Sequence, residues 1–123
     1  MQATLAEPVQ ADAVVDATRA AEPVELAILR GARSLIEAGW CKGTACQTRR
    51  FPDGAFRLEF CTVGAFNEAA SRIRAPEGAL QNAFIAFSRV NGLSDVPRWN
   101  DRFWRSKASV LRAFDRTIEH MEP

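Results

Sequence analysis

Cys61 is the residue whose type and place most invite chemistry. It falls where an alternating run (Phe56, Leu58, Phe60) gives way to a helical pattern opening near Thr62. A thiol at a helix N-terminus meets unpaired N–H groups and the positive end of the dipole, which favour the thiolate. A cysteine nucleophile also needs a base. The chain's one histidine, His120, stands at the close of the last expected helix, a poor place for a positioned base. Asn100 and Asp101 suit orienting a base, not replacing one at neutral pH. Cys61 is therefore the candidate nucleophile of a small hydrolase or transferase. The plainer reading makes it a small buried residue closing the space beneath Gly64 and Ala65. Cys41, Cys46, Cys61 and His120 supply the donor types of a zinc site, but four residues separate Cys41 from Cys46 and no CxxC pair occurs. No metal and no cofactor is expected.

The second constellation is Arg98-Trp99-Asn100-Asp101 followed by Arg102-Phe103-Trp104-Arg105. These eight residues hold two of the three tryptophans and three arginines. Large aromatics beside arginines in a connection make either a packed corner or a contact surface. The structural version has Asp101 as the N-cap of a short turn and Asn100 bonding nearby backbone. Trp99 then plugs the core, with its indole N–H on a carbonyl. The functional version makes Arg98, Asn100, Asp101, Arg102, Phe103, Trp104 and Arg105 a binding surface. Trp and Arg are the residues that most often dominate protein interfaces, so an unidentified protein partner or a second copy comes first. Nucleic acid comes second. Lys107, Arg112 and Arg116 follow the patch, and Arg49, Arg50 and Arg57 add charge elsewhere. No helix-turn-helix glycine pattern or RNP aromatic pair accompanies them. Cys61 chemistry comes third, so a non-enzymatic binding or accessory domain is the expected role.

The elements that must position these residues follow from apolar spacing. Pro23 opens a helix with Leu26, Leu29, Ala32 and Ile36 on its inner face, widened by Ile28 and Leu35. Gly39 is expected to end it in a left-handed C-cap, with Trp40 folding back over the last turn. Pro52-Asp53-Gly54 predicts a turn between strands near Thr44–Phe51 and Phe56–Phe60, the second burying Phe56, Leu58 and Phe60. Thr62 is expected to cap a second helix with Val63, Phe66, Ala69, Ala70 and Ile73 inward. Pro76-Glu77 opens a third, carrying Leu80, Ala83, Phe84, Phe87 and Val90 and stopping at Asn91-Gly92. Asp95 to Asn100 reads as a loop. Ser106 caps the last helix, with Val110, Leu111, Phe114, Ile118 and Met121 on one face. The expectation is α+β, strongly α-weighted: four helices around one small hairpin.

Gly39-Trp40-Cys41, Cys61-Thr62-Val63-Gly64-Ala65 and Trp99-Asn100-Asp101, taken together, resemble a small bacterial family of unknown function. The resemblance covers about residues 24–120. It implies a stand-alone domain and brings no reaction, ligand or catalytic residue. Two places depart from the family's usual look: a longer hairpin, and the bulky Phe103-Trp104-Arg105 after Trp-Asn-Asp.

The totals set outer bounds. A chain of 123 residues is long enough for one core without disulfides or metal. Net charge is +1, but residues 1–25 hold five acids and one base, leaving fifteen bases against ten acids beyond them. A flexible acidic arm over 1–21 and a single globular domain over 22–123 are expected, because the arm has too little apolar surface to offset ordering entropy. No membrane span or signal-peptide pattern is read. An odd cysteine count argues against a secreted disulfide framework, so a cytoplasmic location is expected; a Cys41–Cys61 or Cys46–Cys61 bridge fits across the hairpin, but that compartment argues against it.

Overall fold

The computed structural model describes residues 22–123. The acidic arm expected over residues 1–21 lies outside the described residues. Five helices and one hairpin follow in the order α1 (Val24–Ala38), β1 (Cys46–Arg50), β2 (Phe56–Phe60), α2 (Thr62–Arg72), α3 (Ala79–Val90), α4 (Val96–Asp101) and α5 (Lys107–Met121). The class is α+β and helix-weighted, as the spacing predicts.

The core forms where the helical stripes meet. Leu26, Ile28, Leu29, Ala32 and Ile36 of α1 are buried, with Ala65, Phe66 and Ala69 of α2, Phe87 of α3 and Phe114 of α5. Phe66 is central. Its ring centroid lies 5.3 Å from Phe84, 5.4 Å from Phe87 and 5.4 Å from Phe114. Such edge and tilted contacts satisfy the ring quadrupoles while burying large apolar area. α5 runs antiparallel to α1, because Arg33 pairs with Asp115 and Arg30 with Glu122. The N-terminal end of α5 therefore sits near the C-terminal end of α1.

Several local expectations are corrected. Gly39 is extended (φ −176°, ψ 119°) rather than left-handed. Its carbonyl accepts from Phe60 N (2.9 Å), and Cys41 N donates to Phe60 O (3.0 Å), so the chain leaves α1 as a short parallel bridge beside β2. Glycine is needed there for approach: a Cβ would stand 2.6 Å from the Leu58 carbonyl oxygen. Cys61, not Thr62, is the N-cap of α2. α3 begins at Ala79, because Pro76 to Gly78 form a turn closed by Ala79 N to Pro76 O. Ile73 lies beyond α2 and is exposed. The expected loop at Asp95–Asn100 is mostly helix. Asp95 Oδ1 accepts Arg98 N (3.0 Å), and Pro97 falls in the first turn, where a missing N–H costs nothing.

The hairpin has the expected turn but not the expected buried face. The strands pair antiparallel with Cys46 opposite Phe60 and Thr48 opposite Leu58. Phe60 is buried, yet Phe56 is 65% and Leu58 48% exposed, while Glu59 is buried. Only the base of the ribbon touches the helices, so alternation alone does not decide burial. Gln47 Nε2 (2.7 Å) and Arg49 (3.3 Å) pair the Glu59 carboxylate. The Arg50 guanidinium lies over Phe56 and that of Arg57 over Phe51, cation–π contacts at the projecting end of the ribbon.

Candidate functional site

The buried part of the Trp-Asn-Asp corner is built around Asn100, the next-to-last residue of α4. Its side chain is 0% exposed. Oδ1 accepts from Trp40 Nε1 (2.8 Å), Thr62 N (3.0 Å) and Thr62 Oγ1 (2.7 Å). Nδ2 donates to Cys41 O (3.1 Å) and Asp101 Oδ1 (2.9 Å). Buried amides must be satisfied in this way, since an unmade bond costs the full desolvation penalty. Asn100 thus ties the exit of α1, the start of α2 and α4 into one node. It does not face solvent, which corrects its place on the expected binding surface.

Asp101 is exposed and also turns inward. Its Oδ1 accepts Gly43 N (3.0 Å) as well as the Asn100 amide. It is the last residue of α4, not the N-cap of a following turn. The cap of α5 is Ser106, as its place before the apolar stripe predicts, with Ser109 completing a reciprocal pair. The indole in the buried network belongs to Trp40 and not to Trp99. Trp99 instead packs edge-on against Phe87 at 5.8 Å, and the Arg105 guanidinium lies 4.3 Å above its ring. Arg105 Nε also donates to Trp99 O (2.9 Å). Burial, then the nearby Arg102 charge, lowers the pKa of Arg105 from the ordinary arginine value, and it stays protonated in water near neutrality.

The outer part of the corner is different. Phe103 is 88% and Trp104 59% exposed. Their rings meet edge to face at 5.0 Å, and the Arg102 guanidinium lies 5.2 Å over Trp104. Lys42 Nζ donates to the carbonyls of Arg102 (2.7 Å) and Phe103 (3.3 Å). Lys42 thereby fixes the backbone that carries the two rings, a role unread in the sequence. Arg98 and Arg102 both line a hollow of about 340 Å³ beside Trp99. Of the expected surface, the structure brings Arg98, Arg102, Phe103 and Trp104 together outside, and sends Asn100 and part of Asp101 and Arg105 inward.

Cys61 is buried, and its Sγ accepts Gly64 N (3.4 Å) as the N-cap of α2. His120 lies in the last turn of α5, near Glu122, which pairs with Arg30 in the first half of α1. Cys61 follows β2 at the other end of α1, so the structure separates the thiol from the imidazole. The sulfur of Cys41 points at the carbonyls of Thr44 (3.5 Å) and Glu59 (3.6 Å). Burial, with Cys61 and Glu59 adding repulsion, pushes its thiol up to about 11. All three cysteines are unbridged, Cys46 alone being exposed. Among the described residues no group of three or more His, Cys, Asp or Glu is placed to hold a metal ion. No helix among them is long and apolar enough to cross a membrane.

The motifs behind the resemblance now have one geometry. Trp40, Cys41, Thr62 and Asp101, one or more from each motif, meet at Asn100. The motif glycines serve close approach beside it: a Cβ at Gly64 would stand 1.9 Å from the Ala45 carbonyl oxygen. The chain matches no curated protein and no solved structure. Residues 20–120 match the model of a family of unknown function (DUF6197), and the chain belongs to that family.

Proposed function

We propose that this is a non-enzymatic binding or accessory domain whose contact surface is Arg98, Arg102, Phe103 and Trp104, and that it meets a protein. The carrying observation is the exposed Phe103–Trp104 pair, held edge to face on a backbone that Lys42 fastens. Two adjacent large aromatics with an arginine over one ring are the side chains that dominate interface energetics. A pre-set backbone lowers the ordering cost of association. None of these side chains bonds to the neighbouring Asn100 node.

Anisotropy of labelled single-stranded and duplex oligonucleotides, at low and physiological salt, tests this reading against its competitor. A protein-contact surface predicts no binding at low salt. Micromolar, salt-sensitive binding lost with Arg98→Ala and Arg102→Ala would transfer the surface to nucleic acid, since phosphate contacts release counterions.

A further inference from the structure

Two hollows meet at the C-terminal end of α3. One, of about 510 Å³, is walled by Phe84, Ile85 and Leu93, with Arg89 at its margin. The other, of about 340 Å³, is walled by Arg98, Trp99 and Arg102. Gly92, Leu93 and Ser94 line both, which makes them one groove with an apolar end and a cationic end.

The charge of this groove is one-sided. Arg89, Arg98 and Arg102 line it, and Asp95 is the acid among its lining residues. Asp95 Oδ1 is already engaged with Arg98 N. Among the described residues no carboxylate pairs with any of the three arginines. Arg30 and Arg33 hold two carboxylates each and Arg49, Arg57 and Arg72 one each, whereas Arg50, Arg74, Arg105, Arg112 and Arg116 resemble the groove arginines; what sets Arg89, Arg98 and Arg102 apart is that they line one groove together. Arg98 and Arg102 line the same hollow, so one carboxylate can lie between them. The apolar end has an equally specific signature. Ile85 is off the inward stripe of α3 and is 44% exposed beside Phe84.

We infer that this groove docks an acidic protein segment bearing a large aliphatic side chain. Its carboxylates go to Arg98 and Arg102, and its aliphatic anchor lies against Ile85 and Leu93. The inference rests on the protein-contact reading above and names the kind of partner. Nucleic acid fits less well. Arg105 already stacks on Trp99, and Phe84, Ile85 and Leu93 offer apolar walls in place of a bare stacking platform.

The test is selection of a displayed random 12-residue peptide library on the folded protein. Selected peptides should pair Asp or Glu with Leu, Ile or Met. Their affinity should fall about tenfold or more with Arg98→Glu and with Ile85→Glu, both at exposed positions. Unchanged melting temperatures would show that the fold is intact. No selected peptide, peptides without acids, or binding that survives both substitutions overturns the groove. Peptides lost only with Trp104→Ala overturn it while leaving the contact surface standing. Peptides indifferent to all three variants remove both readings. Displacement of the peptides by an equally charged single-stranded oligonucleotide overturns it in favour of phosphate recognition.

Discussion

Asn100 and Trp104 stand four residues apart and serve opposite ends. Replacing Asn100 by alanine strips partners from Trp40 Nε1, both Thr62 donors and Cys41 O. Each buried orphan costs about 1–3 kcal/mol, so Asn100→Ala should lose at least about 3 kcal/mol in urea unfolding. Trp104→Ala should stay within about 0.5 kcal/mol of the parent, because it is a surface change away from the core. Equal losses would mean that the exposed rings are structural after all. Cys41 allows a pH test. The folded chain holds its thiol proton more tightly than the unfolded chain, so this contribution is complete below about 9 and is lost as pH climbs toward about 11. Stability should decline through that window more steeply in the parent than in Cys41→Ser. Parallel curves would contradict the burial of this thiol. Asn100 was legible as a structural residue from its type and place, but its partners were not. Which of three tryptophans sends its N–H to the amide depends on tertiary approach, which no local pattern encodes.

At the scale of elements, helices were readable and the hairpin only half so. The four long helices follow their apolar stripes, because each must bury one face against the others. α4 was missed as a helix because six residues carry too short a stripe; its Asp95 cap and early Pro97 were the available signals. The hairpin's alternation pointed to a buried face, yet burial depends on how far the ribbon projects past α1 and α2. Among the glycines, Gly64 of α2 makes the closest approach to backbone, against Ala45 just before β1. Gly64→Ala should cost about 3 kcal/mol or more, since backbone cannot yield as a flexible side chain does. Gly31→Ala is the control, because its Cβ would meet only Ala69 Cβ at 3.2 Å. A thermal melt in which the two variants fall equally would show that the α2–Ala45 contact is not the constraint.

Across the whole molecule, the residues that give the sequence its family character and those proposed to meet a partner separate in space, with Trp99 shared between them. Trp40, Thr62, Asn100 and Asp101 meet at one inward node. Of the Phe103-Trp104-Arg105 stretch, bulkier than the resemblance implies, Phe103 and Trp104 point outward and Arg105 turns onto Trp99. The groove between α3 and α4 was unreadable, because its walls come from residues as far apart as Phe84 and Arg102 and from loop closure at Gly92. The sequence marked only its cationic wall, Arg98 and Arg102; Ile85, off the inward stripe of α3, was the available signal for the apolar end. The most direct measurement is site-specific photo-crosslinking from position 103 in the protein's own cells. The account predicts a discrete protein adduct that disappears with Arg102→Glu and persists with Arg112→Glu on the exposed face of α5. A probe that yields no discrete adduct, or one indifferent to Arg102, would contradict the contact surface.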